Sequence, residues 1–333
     1  MKLLIIAAAS LAVVSCASLS LEDLEFHAWK LKFDKSYSSA QEEAHRKDIW
    51  LSQRRQVLTH NILADQGTKT YRMGINQFSD LNSEEFHQNV LLRNMIPDEA
   101  LPHRGSFTST PKGGAVKLPD AVDWREKGCV TDVKDQGQCG SCWSFSTTGA
   151  LESHSCIKHG SLPSLSEQQL VDCTRSYGNN GCHGGWMNPS FSYISDNGGL
   201  DTKDYYPYEA QDGTCHFDPS GVGATCSGYV DVMPKGDESA LQEVVANVGP
   251  VSVAVDATNF QNYQSGVFND PSCSSSQINH AVLVVGYGTE GGQDYWLVKN
   301  SWSTSWGEQG YIKMSRNQGN QCGIASYASY PTV

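Results

Sequence analysis

The chain lacks a long apolar run in its interior. Among its 333 residues, no internal stretch reaches the roughly 18 consecutive apolar residues a membrane-crossing helix needs. Positive charge is scarce: 24 Lys+Arg stand against 36 Asp+Glu, a formal net charge of −12. Polyanion binding needs a basic patch, so nucleic acid is a poor candidate partner. No internal repeat occurs, which argues against a solenoid. No Asn-x-Ser/Thr sequon with a permitted middle residue occurs either, so N-glycosylation has no acceptor. Charged residues amount to only 18% against 39% hydrophobic, a globular composition with material for real cores.

What is present begins with an N-terminal apolar run, Leu3 to Val14, behind Met1-Lys2. Ser15-Cys16-Ala17 puts small residues where a signal peptidase reads, so residues 1–17 read as a secretory signal. A short buried helix, or a bacterial lipid-attachment box at Cys16, are the competing readings. Ten cysteines follow: Cys129, Cys139, Cys142, Cys156, Cys173, Cys182, Cys215, Cys226, Cys273 and Cys322. Such density behind a signal implies disulfides, and spacing alone does not assign the pairs.

Two textures divide the remainder. Residues 18–96 are rich in Glu, Arg, Lys and Leu. Glu42, Arg46, Trp50, Gln53, Val57 and Asn61 share one face of a helix of about 20 residues. Gly74 to Asp80 alternates and reads as a short strand. Asp98 to Lys117 has linker composition, where a protease would cut. From Leu118 onward Gly, Trp, Tyr and Cys become frequent. A helix is expected from Ser141/Cys142 to about Lys158, and a shorter one from Ser166. Strands are expected at 251–255, 281–285, 295–298 and 311–314. Helices first and strands later predict an α+β fold in two lobes. Residues 1–117 carry a net +1 and residues 118–333 a net −13. So acidic a body loses self-repulsion as carboxylates protonate, which suits an acidic compartment.

The chemistry centres on Gln136-Gly137-Gln138-Cys139-Gly140-Ser141-Cys142-Trp143. A cysteine at a helix N-terminus meets the positive end of the helix dipole, which favours the nucleophilic thiolate. Gln136 is placed to offer a side-chain N–H to a developing oxyanion, beside the Cys142 backbone N–H. Cys139-Gly140-Ser141-Cys142 is also a C-x-x-C, so a thiol–disulfide exchanger, a zinc site or structural disulfides compete at this point. A base is needed. Of His154, His159, His183, His216 and His280, only His280 opens an apolar strand, 138 residues beyond Cys142. Asn300, in Lys299-Asn300-Ser301-Trp302, is the candidate to fix the imidazole's tautomer.

Cys139 to Trp143 matches the C-G-[SA]-C-[WY] signature, and the spacing to His280 fits it too. The chain resembles the papain family of cysteine proteases, its cathepsin L and cathepsin S branch most, over nearly its whole length after residue 17. The helical series resembles the ERFNIN pattern, with Trp50, Gln53 and Val57 departing from its standard letters. Gly74, Asn76, Phe78 and Asp80 resemble GNFD. This implies a two-lobed papain-like fold for residues 118–333 under an inhibitory helical pro-domain at 18–117.

It further implies an endopeptidase with Cys142, His280, Asn300 and Gln136 in the catalytic site and Trp302 shielding the His280–Asn300 bond. Gly184 and Gly185 would pair with substrate backbone. Trp186, Met187, Ala254, Ile278 and Tyr327 would line a hydrophobic second subsite. Family pairing implies Cys139–Cys182, Cys173–Cys215 and Cys273–Cys322, with a cathepsin S-like Cys129–Cys226, leaving Cys156 an unpaired structural thiol. Expected partners are protein and peptide substrates, the chain's own pro-segment and cystatin-type inhibitors. No cofactor or metal is implied, and a monomer is expected. The destination is the lysosome or the extracellular space, and the missing sequon weighs against glycan-dependent lysosomal sorting. Acid is expected to weaken pro-domain docking by protonating carboxylates, Asp80 among them. Ser303 departs from the family's usual Gly after Asn-Ser-Trp. A catalytically silent binding homologue is the rival from another class, and the intact Gln136, Cys142, His280 and Asn300 argue against it.

Overall fold

The computed structural model describes residues 20–92, 106–107 and 117–333. The expected signal at 1–17 and most of the linker lie outside the described residues. Among the described residues, the N-terminal part up to Leu92 holds three helices and one strand: α1 Leu21–Lys32, α2 Ala40–Asp65, β1 Tyr71–Met73 and α3 Ser83–Asn89. Each helix starts on a side-chain cap. Ser20, Ser39 and Asn82 accept from the backbone N–H three residues on, satisfying donors a helix start leaves open. α2 buries Trp50, Gln53, Val57 and His60 on one face, and Trp50 packs on Phe26 and Trp29 of α1.

Gly74 to Asp80 is not a strand. β1 ends at Met73 and the chain turns. Asn76 Oδ1 accepts from the Phe78 N–H, and Ser79 Oγ from the Asn76 N–H, each at 2.9 Å. Those side-chain bonds replace ladder partners, so alternation there does not make a strand.

The rest is two lobes. The helical lobe holds α4 Cys142–His159, α5 Glu167–Cys173 and α6 Met187–Asn197, with a small ribbon of β4 Leu200–Asp201 and β5 Val222–Ala224. The other lobe is built on a large, mostly antiparallel sheet. Its strands are β2 Ser106–Phe107, β3 Val122–Asp123, β6 Gly228–Asp231, β7 Val251–Val255, β8 Tyr263–Phe268, β9 His280–Glu290, β10 Gln293–Lys299, β11 Tyr311–Ser315 and β12 Ala328–Thr332. They run β1-β8-β11-β10-β9-β7-β12-β6-β2, with β3 on β9, and α7 Glu238–Asn247 packs alongside. β1 therefore extends the sheet from the N-terminal part, pairing Tyr71 with Gly266 on β8.

One apolar cluster gathers around Trp143, Leu151, Phe191 and Ile194; another gathers around Val253, Phe260, Trp296 and Ile312. α4 lies against β9 between them, and this contact positions the site.

Disulfides join Cys139–Cys182, Cys173–Cys215 and Cys273–Cys322. The expected Cys129–Cys226 bridge is absent. Cys129 bonds Cys156 instead, with the two Cα atoms 5.4 Å apart. Cys156 lies in the last turn of α4, and its sulfur also faces the Gly128 carbonyl, next to Cys129. Cys226 is free and buried, its thiol directed at the Phe191 carbonyl of α6. Cys156 is thus a bridge partner, and the unpaired structural thiol is Cys226.

Candidate active site

Cys142 is the first residue of α4 and is fully buried. The Ser141 before it gives the helix no side-chain cap, so the terminus keeps its open N–H groups. The turn leading in is tight. A Cβ on Gly140 would stand 2.5 Å from the Cys182 carbonyl oxygen, which the Gly140 N–H meets at 2.8 Å. The C-x-x-C is not a redox pair, because Cys139 is bonded to Cys182 and Cys142 is free.

Across the lobe boundary, the Ala281 N–H points at Cys142 Sγ from 3.4 Å. His280, the residue before, opens β9 and is fully buried. Its Nε2 lies 2.8 Å from Asn300 Oδ1, and its ring stacks on Trp302 at 4.6 Å. Asn300 Oδ1 also accepts from the Ser301 N–H, so only a donating Nε2–H suits the imidazole. Nδ1 is then the basic nitrogen, and it has no hydrogen-bond partner.

Gln136 joins the same constellation. Its backbone N–H donates to Ser301 O at 2.9 Å and its Oε1 accepts from Ser301 Oγ at 2.7 Å. Its Nε2 donates to Cys139 O at 3.0 Å, which uses one of two amide hydrogens. Ser301 was not anticipated from sequence, although adjacency to Asn300 is a signal. Nor were Ser141 and Tyr208, whose hydroxyls meet at 2.6 Å; Tyr208 lies in a loop with no motif.

Burial governs the electrostatics. It pushes the Cys142 thiol up to about 12, against backbone N–H groups of Ala281, Trp143 and Cys142 that favour thiolate. It pushes His280 down to about 4, against the Asn300 bond. In this closed arrangement burial opposes the charged form of both groups.

The expected second-subsite residues fall in or against one apolar cluster, which also contains Cys142. Trp186, Met187 and Ala254 belong to it, with Ile278 and Tyr327 packed on the edge. The Trp186 and Tyr327 rings lie 5.2 Å apart. Gly184 and Gly185 precede Trp186, and a Cβ on Gly185 would stand 2.7 Å from the Trp143 ring. Ser303 holds φ at +63°, a left-handed conformation that glycine takes at less cost.

The N-terminal part covers this cleft. Phe78 and Phe86 pack edge-on against Trp302 at 5.5 and 5.6 Å. Gln77 Nε2 donates to Trp302 O at 2.6 Å. Leu92 N–H donates to Asn279 O at 2.9 Å, and its side chain joins the cluster that holds Cys142. Asn76 donates to Gln261 O, and Gln261 donates back to Phe78 O and Leu81 O. Asp80 is held inside the N-terminal part by Lys35 and the Tyr37 hydroxyl, each at 3.0 Å. Arg46 binds Asp80 O and Glu85, Asn61 exchanges two bonds with Met73, and Glu42 accepts from Ser38.

Residues 118–332 match the family of papain family cysteine proteases, and residues 26–86 match the cathepsin propeptide inhibitor domain (I29). A cathepsin L-like peptidase of Aedes aegypti is 52% identical over 341 residues, covering 100% of both chains. Cathepsin S of Bos taurus is 49% identical, covering 93% of each. Among solved structures, digestive procathepsin L 3 of Tenebrio molitor larval midgut superposes with a TM-score of 0.84 at 47% identity, covering 94% of this chain and 100% of that one. A free cysteine at a helix start, an imidazole fixed by an asparagine and an inhibitor domain laid over both accord with these matches, and the chain belongs to the papain family of cysteine proteases, as a cathepsin L/S-like enzyme carrying its own propeptide.

Proposed function

We propose that the protein is an endopeptidase that cleaves peptide bonds through a Cys142–His280 ion pair and a thioester acyl-enzyme. The observation that carries this reading is His280, its ring fixed by Asn300 and Trp302, standing next in the chain to Ala281, whose N–H points at Cys142 Sγ from 3.4 Å. Removal of the propeptide admits water, relieves the desolvation that opposes both charged forms, and favours the ion pair with the proton on Nδ1. The thiolate then attacks the substrate carbonyl carbon. The oxyanion takes hydrogen bonds from the Cys142 N–H and a Gln136 amide N–H. His280 gives its proton to the leaving amine, which departs, and then draws a proton from the water that hydrolyses the thioester.

The pocket of Trp186, Met187, Ala254, Ile278 and Tyr327 selects Leu, Val or Phe at the second substrate position, since no acidic side chain is among the five. Maturation near Leu118 proceeds in acid. The mature enzyme works as a monomer in the lysosome or outside the cell, is open to cystatin-type inhibitors, and uses no cofactor or metal.

The test is acid activation of the recombinant full chain, wild type against Cys142→Ser. Mass spectrometry follows the chain length, and fluorogenic peptides with Leu, Phe or Arg at the second position follow activity. Wild type should shorten to about residue 118 and prefer Leu or Phe, while the variant does neither. If wild type stays silent after another protease has removed the pro-segment, the assignment of these residues is wrong and a binding role takes its place.

A further inference from the structure

Tyr208 lies in the loop after β4, half buried, its ring edge-on to Phe145 of α4 at 5.0 Å. Its hydroxyl meets two partners. It donates to the Gln136 carbonyl oxygen at 2.8 Å and lies 2.6 Å from Ser141 Oγ. A phenol has one proton and the carbonyl only accepts, so the Ser141 hydroxyl must donate to Tyr208. Ser141 is fully buried, and its hydroxyl otherwise makes only a long 3.5 Å approach to Cys139 O.

The two segments joined in this way carry the two oxyanion donors. Gln136 bears the side-chain amide, and Ser141 immediately precedes the Cys142 N–H. The turn between them is pinned at Cys139 by its bond to Cys182, and Tyr208 adds a direct tie between its two ends. Ser301 anchors Gln136 from the opposite lobe. Tyr208 anchors it from the helical lobe, the lobe that carries Cys142.

We infer that Tyr208 is a positioning residue that sets the separation of the two oxyanion-hole donors by tying Gln136 to Ser141. The inference rests on the roles proposed above for Cys142 and Gln136. Losing a whole oxyanion donor costs about 10²–10³ in rate. Loosening one costs less, and Tyr208→Phe, which keeps the ring on Phe145, should lower kcat about tenfold.

The experiment uses acid-activated enzyme and compares two reactions of the same sulfur. Peptide hydrolysis builds an oxyanion; alkylation by iodoacetamide displaces iodide from a saturated carbon and builds none. For Tyr208→Phe, kcat should fall about tenfold with KM nearly unchanged, and a peptide aldehyde, which binds as an oxyanion-like hemithioacetal, should weaken in parallel. The alkylation rate of Cys142 should hold within about twofold of wild type. An unchanged kcat overturns the inference. So does a parallel fall of kcat and alkylation, which marks general damage. If Tyr208→Phe does not fold, Ser141→Ala cuts the same tie from its other end and is judged identically. Gln136→Ala separates the two levels. If it costs about a hundredfold in kcat while Tyr208→Phe and Ser141→Ala cost nothing, this inference alone fails. If it costs nothing, the oxyanion role of Gln136 falls and this inference with it.

Discussion

The propeptide and the enzyme it covers are held together by different means. Among the described residues, the propeptide has a small aromatic core of its own, Phe26, Trp29 and Trp50. Val57, Tyr71, Met73 and Phe86 belong instead to the cluster of the enzyme's sheet lobe, and Leu92 to the cluster that holds Cys142. Most of its charge pairs lie near the surface, Lys30–Glu43, Arg46–Glu85, Lys47–Asp23, Arg54–Glu25 and Arg72–Asp65, while Lys35–Asp80 has a buried carboxylate. The enzyme has four disulfides, two large clusters and a buried ion triad, Lys134 with Glu152 and Glu167. An inhibitor that borrows its core from its target is stable while docked and loosens once released. The enzyme's elements are tied by covalent bridges and a buried charge cluster that the propeptide does not share.

The sharpest break of that contrast compares two lysines. Lys134 Nζ meets Glu152 at 2.7 Å and Glu167 at 2.5 Å, and both carboxylates are about 1% exposed. Lys134→Met strands two buried charges and should cost about 3–5 kcal/mol in denaturant unfolding of the mature enzyme. Lys30→Met, which loses only a partner nearly half exposed, should cost the propeptide at most about 1 kcal/mol. Equal effects would erase the distinction drawn here. A smaller break removes the Cys129–Cys156 bridge. Its sequence separation of 27 predicts a loss of roughly 3 kcal/mol for Cys156→Ser, read as a lowered Tm. Peptide mapping without reduction should find Cys226 alkylatable on unfolding and Cys156 protected; the reverse would restore the Cys129–Cys226 pairing.

That bridge also marks where sequence reading runs out. Elements with strong periodicity were legible: α2 was expected near 42–61 and spans Ala40–Asp65, and the apolar run after His280 is β9. Cys142, His280 and Asn300 could be picked out because each stands at the edge of an element or in a dense motif. The partner of Cys129 was not legible, because two cysteines remained after three bridges and only the approach of the last turn of α4 chooses between them. Gly74 to Asp80 misled for a related reason. Its alternation is real, but Asn76 and Ser79 side chains supply bonds that a strand would take from a neighbour. Tyr208 left no trace in the sequence, since its role consists of two hydrogen bonds to residues 72 and 67 positions away.

The smallest expected effect concerns acid, and it tests how the borrowed core lets go. Asp23 is held below the usual carboxylate range by hydrogen bonds from Lys47 and Ser20. Its contribution is therefore complete above its ordinary value of 3.8 and fades only as pH falls through the lower folded value, so mild acid leaves it in place. His60 behaves otherwise. It is buried on α2, bonds Tyr71 O at 2.9 Å and packs on the Tyr71 ring at 4.4 Å, where Tyr71 in turn meets Phe268 of the enzyme. Burial, with Lys69 and Arg72 nearby, pushes its imidazole below the ordinary 6.5. The folded propeptide therefore binds fewer protons at His60 than one in which that burial is lost, and this contribution, full above about 6.5, is lost as pH falls toward the lower folded value. The enzyme carries a similar liability at His154, also lowered by burial and stacked on Tyr330, but under disulfides and a core of its own. His60→Gln keeps a donor for Tyr71 O and removes the titration. The acid-driven conversion of the full chain at about pH 5 should slow a few-fold, with little change near neutrality. An unaltered pH profile would show that His60 does not carry the acid response.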